Sequence, residues 1–327
     1  MYLLKTRFFL LLLLLSNFIM IAQNYTHVDT VVDKYPTSFL TIEDFAKRIE
    51  KDFTTDADKV RAAYYWIANH VQYDYESLRT GRNSYPSIKI TDYKNQEDFK
   101  YKYYKQYASH VLTYKKGVCA GYSQLLFYTC EYLDIEAKVI SGNAYTSIDD
   151  VGKIPRDTNH AWNAVYFNDK WNLIDATWST GNEEDKPNHV DFTDVYFDIA
   201  PEKLILSHFP KDTKWQLLKV KKSKKDFYNQ PNTFSKFLEV NAELDPKIKG
   251  IIRAKTNGFI TLRFKQIDTT QKYYYAFVRD QYSKPVAIEK DGDTYVAKIP
   301  FKGIKKDRLE FCADHKVMVE FRIIPTR

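Results

Sequence analysis

At 327 residues the chain exceeds the usual size of one domain and accommodates two. Its hydrophobic content of 44% supplies real cores, and only three cysteines, Cys119, Cys130 and Cys312, exclude a disulfide framework. An odd count leaves at least one thiol free, and Cys119 is the best candidate.

Residues 1 to 22 open with Lys5 and Arg7, run through the apolar stretch Phe8 to Leu15, and reach a cleavage position after Ala22, with Met20 rather than a small residue third from the cut. The expectation is a cleaved signal peptide and an exported protein, periplasmic or extracellular. An uncleaved anchor is the competing reading, because Phe18 to Ile21 extends the run almost to spanning length. No second long apolar stretch follows, so no stable membrane insertion is expected after cleavage. Removing Lys5 and Arg7 from 49 basic residues leaves 47 against 42 acidic, a net charge of +5 that favours solubility and does not imply nucleic acid.

A helical lead-in is expected over 23–55, with Ile42, Phe45, Ala46 and Ile49 at helical spacing behind a capping Thr41. The first folded domain is expected over 56–220. A stronger helix runs from a capping Asp56 to Val71, with Val60, Ala63, Tyr64, Ile67 and Val71 on one face. Residues Arg79 to Lys105 are polar, rich in Tyr and Lys and poorly periodic, and read as an elaborated loop. An amphipathic helix follows at Cys119, where Val118, Tyr122, Leu125, Leu126, Thr129 and Leu133 recur three and four apart. Ala137 to Ser141 reads as a buried strand. After a polar loop holding Asp149, Asp150 and Asp157, His160 to Phe167 and Lys170 to Thr177 read as a hairpin turned by Asn168-Asp169, a pair that tolerates positive φ.

Val190 to Leu218 is expected to wrap this domain, and 221–230 to be a solvated basic linker. From 231 to 327 the pattern changes to short alternating strands, Gly258 to Phe264, Lys272 to Arg279, Thr294 to Ile299 and Val317 to Ile323, which suggest an antiparallel β-sandwich of immunoglobulin size.

Three residues carry the chemistry. The attacking species of a thiol is its thiolate, and the first turn of a helix places Cys119 beside unpaired N–H groups and the positive end of the macrodipole. The same N–H groups suit an oxyanion, and flanking Gly117 and Gly121 suit a tight entry and a close substrate backbone. If Phe167 opposes Lys170, the register runs on until Trp162 opposes Asp175 and His160 opposes Thr177. His160 and Asp175 then share a face as diagonal neighbours, and a one-residue slip would part them. Asp175 would accept from one imidazole nitrogen while the other faces Cys119. Singly, each has a plain structural reading: a core cysteine, a satisfied histidine, a turn-capping aspartate. Their combination is harder to dismiss.

Gly117-Val118-Cys119-Ala120-Gly121-Tyr122, Asn159-His160-Ala161-Trp162-Asn163 and Trp171-Asn172-Leu173-Ile174-Asp175-Ala176-Thr177-Trp178 resemble the transglutaminase-like superfamily, as does the upstream helix ending Ile67-Ala68-Asn69-His70-Val71-Gln72-Tyr73-Asp74. The resemblance covers about Asp56 to Thr180. Tyr196-Phe197 and the stretch from His208-Phe209-Pro210 to Trp215-Gln216-Leu217-Leu218 are similar to the branch containing the kyphoscoliosis peptidase, in which immunoglobulin-like modules can follow the core. It implies an α+β fold, a papain-like transglutaminase core with a helix-borne Cys packed on an antiparallel sheet, followed by the small β-sandwich. It also implies a Cys119, His160, Asp175 triad. Superfamily members include cross-linking acyltransferases, peptidases, an amidase and scaffolds without catalysis.

No acidic cluster resembles a calcium site, and His70, His110, His189 and His208 lack the close spacing of a metal site, so no metal and no cofactor are expected. Asp149, Asp150 and Asp157 read as a plain polar loop. The run Lys100 to Lys105 interleaves bases and aromatics like a single-strand platform, but in an exported chain of modest charge it reads as a solvated loop. The expected partner is a protein or peptide substrate, attacked at a peptide or carboxamide carbonyl, with hydrolysis favoured over transfer to an amine. The alternative is a non-catalytic scaffold or adhesion protein that binds through the C-terminal β region.

Overall fold

The computed structural model describes residues 24–82, 86–181 and 191–326; the expected signal segment and His189 lie outside them. Helices α1 (Thr26–Val32), α2 (Ile42–Asp52) and α3 (Asp56–His70) open the chain. Thr41 caps α2 as expected, its hydroxyl accepting from the Asp44 N–H at 3.0 Å. The cap of α3 is Thr55, not Asp56: its hydroxyl accepts from the Asp58 N–H at 3.2 Å, which moves the helix start one residue back. Buried Arg61 of α3 binds Asp29 bidentately at 2.8 and 2.6 Å and so fastens α1 to the body of the fold.

Short strand β1 (Gln72–Tyr73), helix α4 (Tyr75–Thr80) and helix α5 (Gln96–Tyr114) follow. The expected loop from Arg79 to Lys105 is corrected at its C-terminal end, where Gln96 opens a helix of nineteen residues, the longest described. Asn95 caps it, accepting from the Glu97 and Asp98 N–H groups at 2.9 Å. Its periodicity is hidden in the sequence because the buried residues gather in its second half, one of them a tyrosine. Tyr107, Ala108, Val111 and Leu112 are buried, while the Tyr101 hydroxyl donates to Glu131 at 2.9 Å and Lys102 pairs with Asp98 at 3.3 Å.

Strand β2 (Lys116–Gly117) pairs in parallel with β1 and leads into α6 (Cys119–Tyr132), which lies between α5 and the main sheet. The sheet has the order β5-β4-β3-β6 and is antiparallel throughout, with β3 at Ala137–Ala144, β4 at His160–Phe167, β5 at Lys170–Ile174 and β6 at His208–Pro210. Asn168 and Asp169 take φ of 51° and 58°, the primed turn that their residue types favour. Val165, Phe167 and Ile174 join the helices in one core, whereas Trp162, Ala164 and Leu173 join a second core with the C-terminal sheets. The alternation is that of a sheet buried on both faces.

Asp149 and Asp150 form a short 3-10 turn in which the Asp150 carboxylate accepts from the Thr146 and Ser147 N–H groups. Within the expected wrapping segment and linker lie helices α7 (Pro201–Leu204) and α8 (Lys224–Asn229). Phe227 and Tyr228 of α8 are buried against Tyr145, which the basic character of the stretch conceals.

The C-terminal strands build two sheets. One runs β13 (Glu289–Asp291), β14 (Thr294–Phe301), β10 (Gly258–Gln266), β8 (Glu243–Leu244). The other runs β12 (Lys284–Pro285), β11 (Tyr273–Phe277), β15 (Asp307–Ala313), β16 (Lys316–Thr326), β7 (Asn232–Thr233). The expected strands are all present within these and pair antiparallel. One addition departs from the expectation: β9 (Ile251–Lys255) lies parallel to β16.

Candidate active site

His160 is the first residue of β4 and Asp175 lies one residue beyond β5, so both sit at the end of the sheet where α6 begins. Pairing between β4 and β5 stops at Asn163 and Ile174, short of the continued register expected. Asp175 is instead held by its own turn: its Oδ1 accepts from the N–H groups of Thr177 at 2.8 Å and Trp178 at 3.0 Å. The Ser179 hydroxyl donates to the Asp175 carbonyl at 2.8 Å and is itself hydrogen-bonded to Tyr64 of α3. Oδ2 is left for histidine, and Nε2 of His160 donates to it at 2.6 Å.

On the other side, Cys119 opens α6 within electrostatic reach of His160 and of the backbone N–H of Ala161. Burial works against the thiolate, but His160, with the Ala161 N–H, outweighs it and lowers the Cys119 pKa from its ordinary value. Burial likewise disfavours the imidazolium of His160. The charge and hydrogen bond of Asp175, aided by Cys119, reverse this and raise it to about 10. The carboxyl of Asp175 feels the penalty of burial most, yet His160 and His208 hold it far below the usual carboxylate range. By contrast, burial pushes the thiol of Cys130 up to about 12, and burial with the charges of Glu310 and Glu320 pushes that of Cys312 up to about 11, which disfavours a thiolate at either.

Tyr73, at the end of β1, meets the same cysteine. Burial raises its pKa above the ordinary value, while a hydrogen bond from the backbone of Cys119 eases the phenolate. No side chain caps α6 at Val118, which leaves this first turn to such partners.

The flanking glycines also have a packing role. A Cβ at Gly121 would stand 2.8 Å from Cγ2 of Val111, so this glycine lets α5 and α6 touch. A more consequential glycine is Gly142 of β3, opposite His160: a Cβ there would stand 2.4 Å from the Trp162 ring. The bare backbone lets Trp162 lie across β3, its ring centre 6.0 Å from that of His160 and 5.2 Å from that of His208.

The spacing of His208 in the sequence points to no site, yet β6 brings it to Asp175. Its Nε2 donates to Oδ2 of Asp175 at 3.0 Å and its Nδ1 lies 2.8 Å from the Ser207 hydroxyl. Only the pairing of β6 with β3 creates this contact, and no local pattern announces it. The ligating atoms of His160, Asp175 and His208 lie within 4.8 Å of one another. Their N–O separations are nevertheless those of direct hydrogen bonds. A tetrahedral ion with bonds near 2.0–2.1 Å needs its donors roughly 3.3 Å apart, so the three would have to separate to hold one.

No helix among the described residues is long and apolar enough to cross a membrane. Residues 43–176 match the transglutaminase-like superfamily. Kyphoscoliosis peptidase of Mus musculus is 28% identical over 186 residues, 56% of this chain and 25% of that protein. Its Homo sapiens counterpart is 27% identical over 199 residues, 60% of this chain and 27% of that protein. The chain thus spans about a quarter of the length of these relatives. A crystal structure of a TGase superposes with a TM-score of 0.27 at 21% identity, covering 50% of this chain and 35% of that one, too loosely to carry any conclusion. The matched segment, with its helix-borne cysteine on an antiparallel sheet, makes residues 43–176 a transglutaminase-like domain, in a branch that resembles the kyphoscoliosis peptidase.

Proposed function

We propose that this protein is an exported thiol-dependent acyl-transfer enzyme acting on peptide or carboxamide bonds. The observation that supports it is the hydrogen bond of His160 to Asp175 beside a Cys119 thiol whose pKa His160 lowers, with that cysteine partly exposed and the other two buried. With Nε2 committed to Asp175, Nδ1 is the nitrogen left to the thiol. In this reading His160 takes the Cys119 proton and the sulfur attacks the carbonyl carbon. The tetrahedral oxyanion collapses, the C–N bond breaks, and the proton on Nδ1 leaves with the amine. Water, deprotonated by the same nitrogen, then cleaves the thioester and regenerates the thiol. In this reading the Cys119 N–H and the Tyr73 hydroxyl serve the developing oxyanion.

Hydrolysis is preferred over cross-linking because water is always at hand as the acceptor. The test is the pH dependence of iodoacetamide labelling, read at Cys119 in native and denatured protein. Native labelling that is already fast below neutral pH supports the reading; labelling no faster than in the denatured chain sinks it. A survey of proteome peptides cleaved by wild type and not by Cys119→Ala would then identify the bond.

A further inference from the structure

His208 completes a set of four donors around one carboxylate. Oδ1 of Asp175 takes two backbone N–H groups, and Oδ2 takes Nε2 of His160 at 2.6 Å and Nε2 of His208 at 3.0 Å. A carboxylate has about four acceptor sites, so this one is filled by protein alone. Asp175 and His208 are each 1% exposed, and no solvent stands in if a donor is removed.

The tautomer of His208 follows from its partners. A carboxylate only accepts, so Nε2 carries the hydrogen. The Ser207 hydroxyl at 2.8 Å supplies the donor that a bare Nδ1 needs. The ring is enclosed by Trp178, Trp162 and Tyr196 at centroid distances of 4.4, 5.2 and 6.2 Å. The titratable groups facing it are Asp175, His160, 5.1 Å away between ring centres, and the buried hydroxyl of Tyr196. Burial holds its pKa down to about 4 despite Asp175, so it stays neutral and does not compete with His160 for the negative charge.

We propose that His208 is a positioning residue: its Nε2–H fixes Oδ2 of Asp175 so that one acceptor site faces His160, and it thereby sets how readily Cys119 transfers its proton. This rests on the acyl-transfer reading above. Without the donor, Oδ2 is free to turn from His160 in a dry pocket, and the imidazolium loses part of its hold.

The deciding measurement is the rate of iodoacetamide alkylation of Cys119 across pH in the full-length protein, for wild type, His208→Phe and His208→Gln, with thermal unfolding in parallel. His208→Phe fills the ring's space without a donor, and its inflection should move up by about one pH unit, with labelling near neutrality about tenfold slower. His208→Gln, which restores an N–H at similar reach, should recover most of both. A merely structural histidine would lower the unfolding temperature of both variants and leave the inflection alone. A folded His208→Phe with the wild-type inflection, or a His208→Gln no better than His208→Phe, overturns the proposal. Should His208→Phe fail to fold, Ser207→Ala decides: freeing Nδ1 should shift the inflection upward by a smaller step, and an unchanged inflection overturns the role. Wild-type Cys119 that labels like a denatured thiol removes the acyl-transfer reading and this inference together, whereas an activated wild type with unmoved variants removes this inference alone.

Discussion

Nε2 of His160 lies 2.6 Å from Oδ2 of Asp175 although the strands that carry the two residues stop pairing at Asn163 and Ile174. The alignment is therefore made by the turn after β5 rather than by the ladder. Two backbone N–H groups aim the carboxylate, and Ser179, backed by Tyr64, holds the turn on α3.

Asp175→Asn should separate orientation from thiol chemistry. An amide cannot accept from four N–H groups and presents an NH2 to some of them. On the proposed acyl-transfer reading, and by analogy with the loss of an orienting carboxylate in known catalytic triads, kcat should fall about 10³- to 10⁴-fold. Unfolding should become easier by about 3–5 kcal/mol as a buried charge pair is broken. Kinetics and denaturant titration of one purified variant read both, and an intact kcat would count against the assigned role.

Tyr73→Phe should lower kcat on a peptide or amide substrate by about 10²-fold with little change in KM, if its hydroxyl serves the oxyanion. Removing the hydroxyl leaves the Cys119 N–H free, so labelling of the thiol should be nearly unaffected. A variant slowed equally in labelling and turnover would assign Tyr73 to the nucleophile instead.

Activity should follow the ionisation of a coupled pair. The lowered Cys119 pKa brings the rate up below the range of an ordinary thiol, and it falls again only as His160 loses its proton near pH 10. A pH–rate profile limited by an inflection near 8.5 would contradict this.

Stability should peak near pH 6–7, with an arm on each side owed to a different histidine. His160, raised from 6.5 to about 10, binds more protons folded than unfolded in that interval, so its contribution is complete below 6.5 and lost as pH climbs through about 10. His208, lowered from 6.5 to about 4, binds fewer protons folded than unfolded, so stability falls as pH drops from 6.5 toward 4. Unfolding temperatures across pH 4–10 should show the acid arm flattened in His208→Gln and the alkaline arm retained.

Gly142→Ala should cost about 1–3 kcal/mol and blunt activity, because its methyl meets Trp162 at 2.4 Å and the Phe209 carbonyl oxygen at 2.5 Å, and Trp162 packs on His160. Gly121→Ala meets chiefly the Val111 side chain, at 2.8 Å, and should be milder in both respects. Equal losses at the two positions would argue against a role for Trp162 in supporting the histidine.

The sequence by itself determined what is local. Thr41 and the spacing of Ile42, Phe45, Ala46 and Ile49 write the second helix, Asn168-Asp169 writes the hairpin, and the residues around Cys119, His160 and Asp175 write the family. It concealed the helix from Gln96 to Tyr114, whose buried residues gather in its second half, and the parallel strand at Ile251–Lys255, whose partner lies some seventy residues away in β16. Tertiary structure alone decided which donors surround Asp175. His208 is 33 residues from it in the chain, and only the pairing of Ala144 with His208 across β3 and β6 closes that distance. Periodicity reports the face a residue buries, whereas the partner it meets there depends on sheet order, a property of the folded chain as a whole.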